Sequence, residues 1–435
     1  MKYITLILSL LVLFTSGVSG QVMEYSVGSV QNSIVRTVDH RSVLIYTQES
    51  TTSAYFVLHN EATGTALSFP FNVGVVHDMR ITDGRVYFCG ESYGHGLVGT
   101  FNIQQVFFSG GNVFWHQLSS YFGDMTHVVS LDRLDLFSDS GRVCMAMVGG
   151  AWFDPLTPTP KNVLVSACFS GTNWNINCDM TKPYFMKFTD IACLGDIIVA
   201  VGTDTNDAGC YLKTYHPRMD FPGNTCTPLY GYEIPFMNPQ GKVLVTKYAD
   251  NTASIAHFDA SRATVMHKVS FSSGGTIPIG NVETWITNIS SFFTGGEMIE
   301  LATSINGNTY LLQDTDYPVS GIVLSLPWLV KYSHSIAPTS SVQAEAGNYK
   351  NQSLDMDFSG MYPRTSCYAS QLATYVPIAN MTTPQCMHPA SLPIQYSVTG
   401  VNITDMYEGV RQQDALGFAF VPVISDVRVQ NICDY

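Results

Sequence analysis

After its first twenty residues the chain shows almost no helical period, and this constrains its fold more than any other feature. No stretch of twelve or more residues spaces apolar side chains at i, i+3 and i+4. Short β-branched and aromatic runs recur instead, bounded by Gly, Asn, Asp, Ser and Pro. Examples are Ser42 to Thr47, Arg85 to Cys89, Val143 to Val148, Ile197 to Val201 and Val243 to Tyr248. Such a chain is all-β.

The runs belong to a longer repeat. His77-Asp78-Met79-Arg80-Ile81 leads through Thr82-Asp83-Gly84 to a second run that ends at Gly90. Thr189 to Cys193 leads in the same way to Ile197 to Gly202, and Leu131 to Leu136 leads to Arg142 to Gly149. A polar turn and a third strand follow, as at Gly99 to Ile103 and Cys210 to Thr214. Weaker copies begin near Val35, Val243, Ser291 and Leu354, so the unit recurs about every 50 residues. A period near 50 in strand–turn–strand units predicts a β-propeller, because one small sheet cannot bury both faces alone and radial packing buries them. Seven starts predict seven blades, with six or eight as the alternatives. The other architecture is two or three tandem β-sandwiches. The stretch from Leu354 to Tyr435 is too long for one blade, and its strand-like end, Phe418 to Val423 and Val427 to Val429, is expected to complete the first blade. Asp154 to Pro160 interrupts a repeat and reads as a loop insertion. With these repeats in view, the chain resembles secreted bacterial β-propeller proteins over most of its length. That resemblance implies a fold and not an activity.

The N-terminus predicts export. Lys2 precedes an apolar run from Ile4 to Phe14 and then Ser16-Gly17-Val18-Ser19-Gly20. This is the layout of a signal peptide over residues 1–20, cleaved before Gln21, with residues 21–435 as a single propeller domain that is secreted or periplasmic. The run is too short to span a bilayer, and no later run is long and apolar enough, so no membrane span is predicted. Only 13% of residues are charged and 46% are apolar, which excludes a disordered chain. A formal net charge of −13 with 21 Lys plus Arg repels a phosphate backbone, so nucleic acid is not an expected partner.

Ten cysteines in an exported chain favour disulfides. Local spacing suggests Cys168 with Cys178, Cys210 with Cys226, and Cys367 with Cys386. Cys89, Cys144 and Cys193 lie in apolar runs and read equally well as buried thiols. No C-x-x-C occurs, so a zinc ribbon is not supported.

Motifs of known chemistry are sparse. Gly94 to Gly99 matches G-x-G-x-x-G but runs into a strand, so it reads as a hairpin turn rather than a dinucleotide site. Asp204 to Gly209 offers oxygens for calcium but lacks a distal acidic ligand, and the same residues suit a turn. Eleven scattered histidines, His257 and His267 among them, suggest core or surface residues rather than metal ligands. No metal or cofactor is predicted. Four N-x-S/T sequons occur, at Asn288, Asn351, Asn380 and Asn402.

The candidate ligand-binding residues are Asp78, Asp132, Asp190 and Asp357, which recur where inner strands are expected to begin. A ring of carboxylates there could hydrogen-bond a sugar or supply an acid and a base. It could equally brace blade turns through backbone N–H groups. Trp152 and Trp174, flanked by loop-type residues, are the candidate sugar-stacking aromatics. The expected function is an exported binding or scaffold propeller whose loop face takes a glycan or a surface protein. The alternative is a carbohydrate-active enzyme, a glycoside hydrolase or lyase, which would need two carboxyl groups roughly 5 to 10 Å apart in an open cleft.

Overall fold

The structure is a computed structural model. It describes the strands from Met23 to Asn431 and some of the turns between them. Residues 1–22 and 432–435 lie outside the description, as do connecting stretches such as 119–126, 153–160, 204–209, 216–227 and 378–386. The described strands form seven sheets of five strands each. We number these sheets as blades 1 to 7 in chain order. Their innermost strands are Asn32–Thr37, Val75–Thr82, His127–Asp139, Lys187–Cys193, Gln240–Ala249, Gly295–Thr303 and Lys350–Met356. Each inner strand packs beside the next, and the last packs beside the first, so the ring is closed. Six of the seven repeat starts in the sequence fall within these strands, and Ser291 lies just ahead of the sixth. The fold is a β-propeller.

Blades 2 to 5 are buried on both faces, which is why their runs are continuously apolar rather than alternating. In Arg85–Ser92, Val86 and Phe88 point toward blade 1, where Phe88 sits 5.8 Å from Phe56. Tyr87 and Cys89 point the other way and join Leu131, Met145 and Val165 of blade 3. Further apolar clusters fill the interfaces of blades 3 with 4, 4 with 5 and 5 with 6. The one helix among the described residues, Ile103–Ser109, connects two strands of blade 2. Asn102 caps its start by accepting from Gln105 N–H, and Gly110 ends it at φ 67°.

A bulge in the inner strand explains the glycines that end the second strand of the repeat. The register slips between Val76 and Asp78, between Leu131 and Arg133, and between Phe188 and Asp190. There the inner backbone swings against the neighbouring strand. A Cβ on Gly90 would meet Val75 O at 1.9 Å, and one on Gly149 would meet Ser130 O at 2.1 Å. Only glycine leaves the room.

The chain ends depart from the sequence expectation. Met23–Ser26 is the fourth strand of blade 7, between Leu372–Pro377 and Arg428–Asn431, so the N-terminal strand closes the ring. The C-terminal stretch does not simply complete blade 1. From Met387 to Asn431 it adds one outer strand to each blade in turn, in the order 6, 5, 4, 3, 2, 1, 7. Leu416–Ala419 lies on blade 2, Val423–Ile424 on blade 1 and Arg428–Asn431 on blade 7. Sequence repeats cannot reveal this belt, because its strands belong to no repeat.

The cysteine pairing also needs correction. Cys168 bonds to Cys144, not to Cys178. Cys144 and Cys168 are cross-strand partners with Cα atoms 4.3 Å apart, whereas Cys178 lies opposite Val165. Cys89 and Cys193 are buried free thiols. The side chains of Cys178, Cys210 and Cys367, and all of Cys226 and Cys386, lie outside the described residues.

Candidate functional site

Inner strands pair with the second strand of their own blade on one side only. On the other side, backbone N–H groups face the channel and the next blade, and such groups need partners when buried. The sequence supplies carboxylates for this purpose. Asp78 accepts from Leu134 N–H of blade 3 at 3.1 Å, and Asp135 from Cys193 N–H of blade 4 at 2.7 Å. Asp190 accepts from Val245 N–H of blade 5 at 2.8 Å, and Glu300 from Leu354 N–H of blade 7 at 2.8 Å. Asp355 accepts from Thr37 N–H of blade 1 at 2.6 Å. The second oxygen of Asp78, Asp135 and Asp190 accepts from the following residue's own N–H, at 2.8 to 2.9 Å. Each carboxylate thus staples one blade to the next. Between blades 1 and 2 an arginine serves instead, with Arg36 Nε donating to Met79 O at 2.7 Å.

Arginines bridge the channel from the same ring. Arg36 Nη2 of blade 1 lies 2.8 Å from Asp78 Oδ1 and 2.8 Å from Glu300 Oε1 of blade 6. Arg80 Nη1 adds contacts to the same two oxygens at 2.7 and 3.4 Å. Arg133 of blade 3 donates to Ile299 O of blade 6 at 2.6 Å. Burial alone would raise the Asp78 carboxyl, but Arg80, Arg36 and Arg133 hold it below its usual range. Asp190 is pushed up to about 7, chiefly by burial, against the pull of Arg133 and two backbone N–H groups. Burial raises Asp135 and Asp355 too.

On the side where the inner strands end, a cavity of about 790 Å³ opens above this network. Arg80, Asp135, Asp190, Glu300 and Asp355 are on its walls, and hairpin residues such as Lys247, Tyr248 and Ser304 line it as well. Its rim carries exposed Ile305, and Phe358 stands exposed on the neighbouring hairpin of blade 7. The two hairpins are tied by Ile305 N–H donating to Gly360 O at 2.8 Å.

The sequence candidates divide. Asp78 and Asp190 are buried members of the stapled ring. Asp132 is the bulge residue, one position out of register with them, so its side chain turns outward. It is 57% exposed and faces His77 Nδ1 at 3.3 Å. Asp357 lies past the end of its strand and closes a turn, accepting from Ser359 and from Met361 N–H. Trp174 corrects the expectation of an exposed stacking ring. It is fully buried between blades 2 and 3, packed on Phe169 at 5.0 Å, because loop-type neighbours in this sequence flank a strand, Asn173–Met180. The side chain of Trp152 and the Asp204 to Gly209 stretch lie outside the described residues. Sequence reasoning missed Asp135, Glu300, Asp355, Arg36, Arg80 and Arg133. The available signal was charge alternating with apolar residues inside otherwise hydrophobic strands, as in Asp78-Met79-Arg80 and Arg133-Leu134-Asp135.

His257 and His267 stack as a buried pair with Nε2 atoms 3.2 Å apart. His257 Nδ1 lies 2.8 Å from Phe258 O, and His267 Nδ1 lies 2.9 Å from Thr284 Oγ1. A neutral hydrogen-bond chain satisfies all four ring nitrogens, and burial lowers the pKa of both rings, His257 to about 4. Among the described residues the only metal-like grouping is Asp139 with Cys144 and Cys168, and those two cysteines are already bonded to each other.

No protein-family model matches the chain, and no curated protein matches it. Among solved structures it is similar to Hsv2 of Kluyvelomyces marxianus, at 11% identity and a TM-score of 0.27, over 58% of this chain and 97% of that one. It is also similar to a point mutant of the NanB sialidase of Streptococcus pneumoniae, at 11% identity and a TM-score of 0.38, over 81% of this chain and 69% of that one. A further match is NanB with Optactamide, at 12% identity and a TM-score of 0.34, over 83% and 57%. No helix of the described residues is long and apolar enough to cross a membrane.

Proposed function

We propose that this chain is an exported binding or scaffold propeller, secreted or periplasmic once residues 1–20 are removed, and that a glycan or another surface protein docks at the mouth of its channel. The cavity carries this reading. It is concave, holds about 790 Å³, and offers a few convergent polar groups beside apolar ones, as ligand sites do. Lys247, Thr246, Thr303 and Ser304 supply donors and acceptors for hydroxyl or peptide groups, while Ile305 supplies apolar contact at the rim.

The second reading is a carbohydrate-active enzyme, a glycoside hydrolase or lyase. One observation favours it: Asp190, at about 7, lies in the range of a general acid. Against it, both Asp190 oxygens already accept from backbone N–H groups. A general acid has to reach the leaving group within hydrogen-bond distance. Binding therefore fits the geometry better than catalysis.

The test is a glycan array and a surface-protein array probed with wild type and with Lys247→Glu/Ile305→Asp. Both substituted residues are exposed, so the melting temperature should hold while binding is lost. Wild type that binds nothing on either array, or a variant that binds as well as wild type, would remove this reading.

A further inference from the structure

The C-terminal segment makes an unusual set of contacts. Every ladder described for residues 387–431 joins an outermost blade strand. Met387–Ala390 pairs with Ser341–Ala344, Ile394–Thr399 with Val282–Thr287, and Asn402–Thr404 with Gly231–Glu233. Four more short ladders continue around blades 3, 2, 1 and 7. No ladder among the described residues joins one belt strand to another or to an inner strand. The belt therefore has no sheet of its own, and the surface that receives it is a ring of seven β-edges. Open edges are templates for pairing with another chain, and natural proteins cover them.

The individual ladders are two to six residues long. Strand pairings this short are marginal in isolation, so the belt sits at the low-stability end of the fold and opens before the blades do. Residues 378–386 join it to Leu372–Pro377, the third strand of blade 7, a span that reaches at most about 30 Å when extended. A belt that opens can return to its own ring or to the ring of an adjacent copy. The receiving strands and their register are the same in both cases, so exchange forfeits no ladder.

We propose that the seven outer edges are an interaction surface for the C-terminal belt of a second copy of this chain, giving belt-exchanged dimers. The partner is fixed by chemistry: only residues 387–431 carry the seven matched registers in the required order. Two chains of net charge −13 repel, so exchange is promoted by salt as well as by concentration. This surface lies on the outside of the blades and is independent of the channel mouth.

The experiment uses the full chain in two forms. Val423 lies opposite Ser68 where the belt crosses blade 1. One form carries Ser68→Cys and the other carries Val423→Cys, each with a different tag. The two are mixed, refolded together at high concentration and mildly oxidised. Exchange predicts a disulfide-linked heterodimer, with peptide mapping placing the bond between the two introduced thiols. It also predicts that light and heavy wild-type chains form mixed dimers after co-refolding, and form them more slowly when mixed already folded, read by native mass spectrometry. The wild-type arm stands even where a substituted form fails to fold. Monomer at every concentration and salt, or a dimer without the engineered interchain link and without mixed species on co-refolding, would overturn the proposal.

Discussion

Replacing Asp78 with Asn changes one atom in a side chain that is 1% exposed and accepts four hydrogen bonds. Oδ1 takes Arg36 Nη2, Arg80 Nη1 and Met79 N–H at 2.7 to 2.8 Å, and Oδ2 takes Leu134 N–H at 3.1 Å. An amide has one acceptor oxygen. In either orientation its NH₂ faces donors, either Leu134 N–H or the guanidinium groups. The negative charge that offsets Arg36 and Arg80 is gone as well. Breaking a buried ion pair by removing one partner costs about 3 to 5 kcal/mol. Asp132→Asn is the matched control. Asp132 is largely exposed and among the described residues pairs with His77, so its loss should cost less than about 1 kcal/mol. The assay is urea denaturation of wild type and both variants, comparing midpoints at unchanged slope. Equal effects of the two substitutions, or a negligible effect of Asp78→Asn, would refute the account of these carboxylates as blade staples.

Further consequences follow from the same contacts. Asp190 has its folded pKa raised from 3.8 to about 7, so the folded state binds the extra proton between those values. The stabilisation is fully present below about 4 and is lost as pH rises through about 7. Asp190→Asn, a neutral isostere, should therefore gain on wild type as pH rises from about 5 to about 8, and a stability difference independent of pH would contradict the shift. Non-reducing peptide mapping of exported protein should find Cys144 joined to Cys168, with Cys89 and Cys193 inert to alkylation until unfolding. A Cys168–Cys178 link would contradict the structure. Closing a loop of this size, with a sequence separation of 24, is worth about 3 kcal/mol, so Cys144→Ala/Cys168→Ala should unfold at measurably lower urea.

The repeat was legible because every blade repeats the same problem. Two buried faces demand continuous apolar strands, and a bulge against the neighbouring strand demands glycine at Gly90 and Gly149. The site was legible only in part. Asp78 and Asp190 occupy equivalent places after the bulge, and both carry the role that bracing by backbone N–H groups predicts. Asp132 has the same spacing by eye, yet the bulge shifts it by one residue and sends its side chain outward. Asp135 and Asp355 act two residues further along their strands, so no fixed offset in the repeat marks them. The cross-channel pairing of Arg36 with Glu300 joins residues 264 apart, and local sequence holds no trace of it. The C-terminal belt was invisible for a related reason. Its strands are too short to carry a period, and their partners lie in seven different repeats.

Amide hydrogen exchange at five residues tests the central claim most directly. Thr37, Leu134, Cys193, Val245 and Leu354 turn their N–H groups away from their own blades and toward a carboxylate of the neighbouring one. If the carboxylates staple the ring, these five amides exchange as slowly as ladder amides in the middle of the blades, and Asp190→Asn releases Val245 first. Exchange at the rate of turn amides in the wild-type protein would contradict the account.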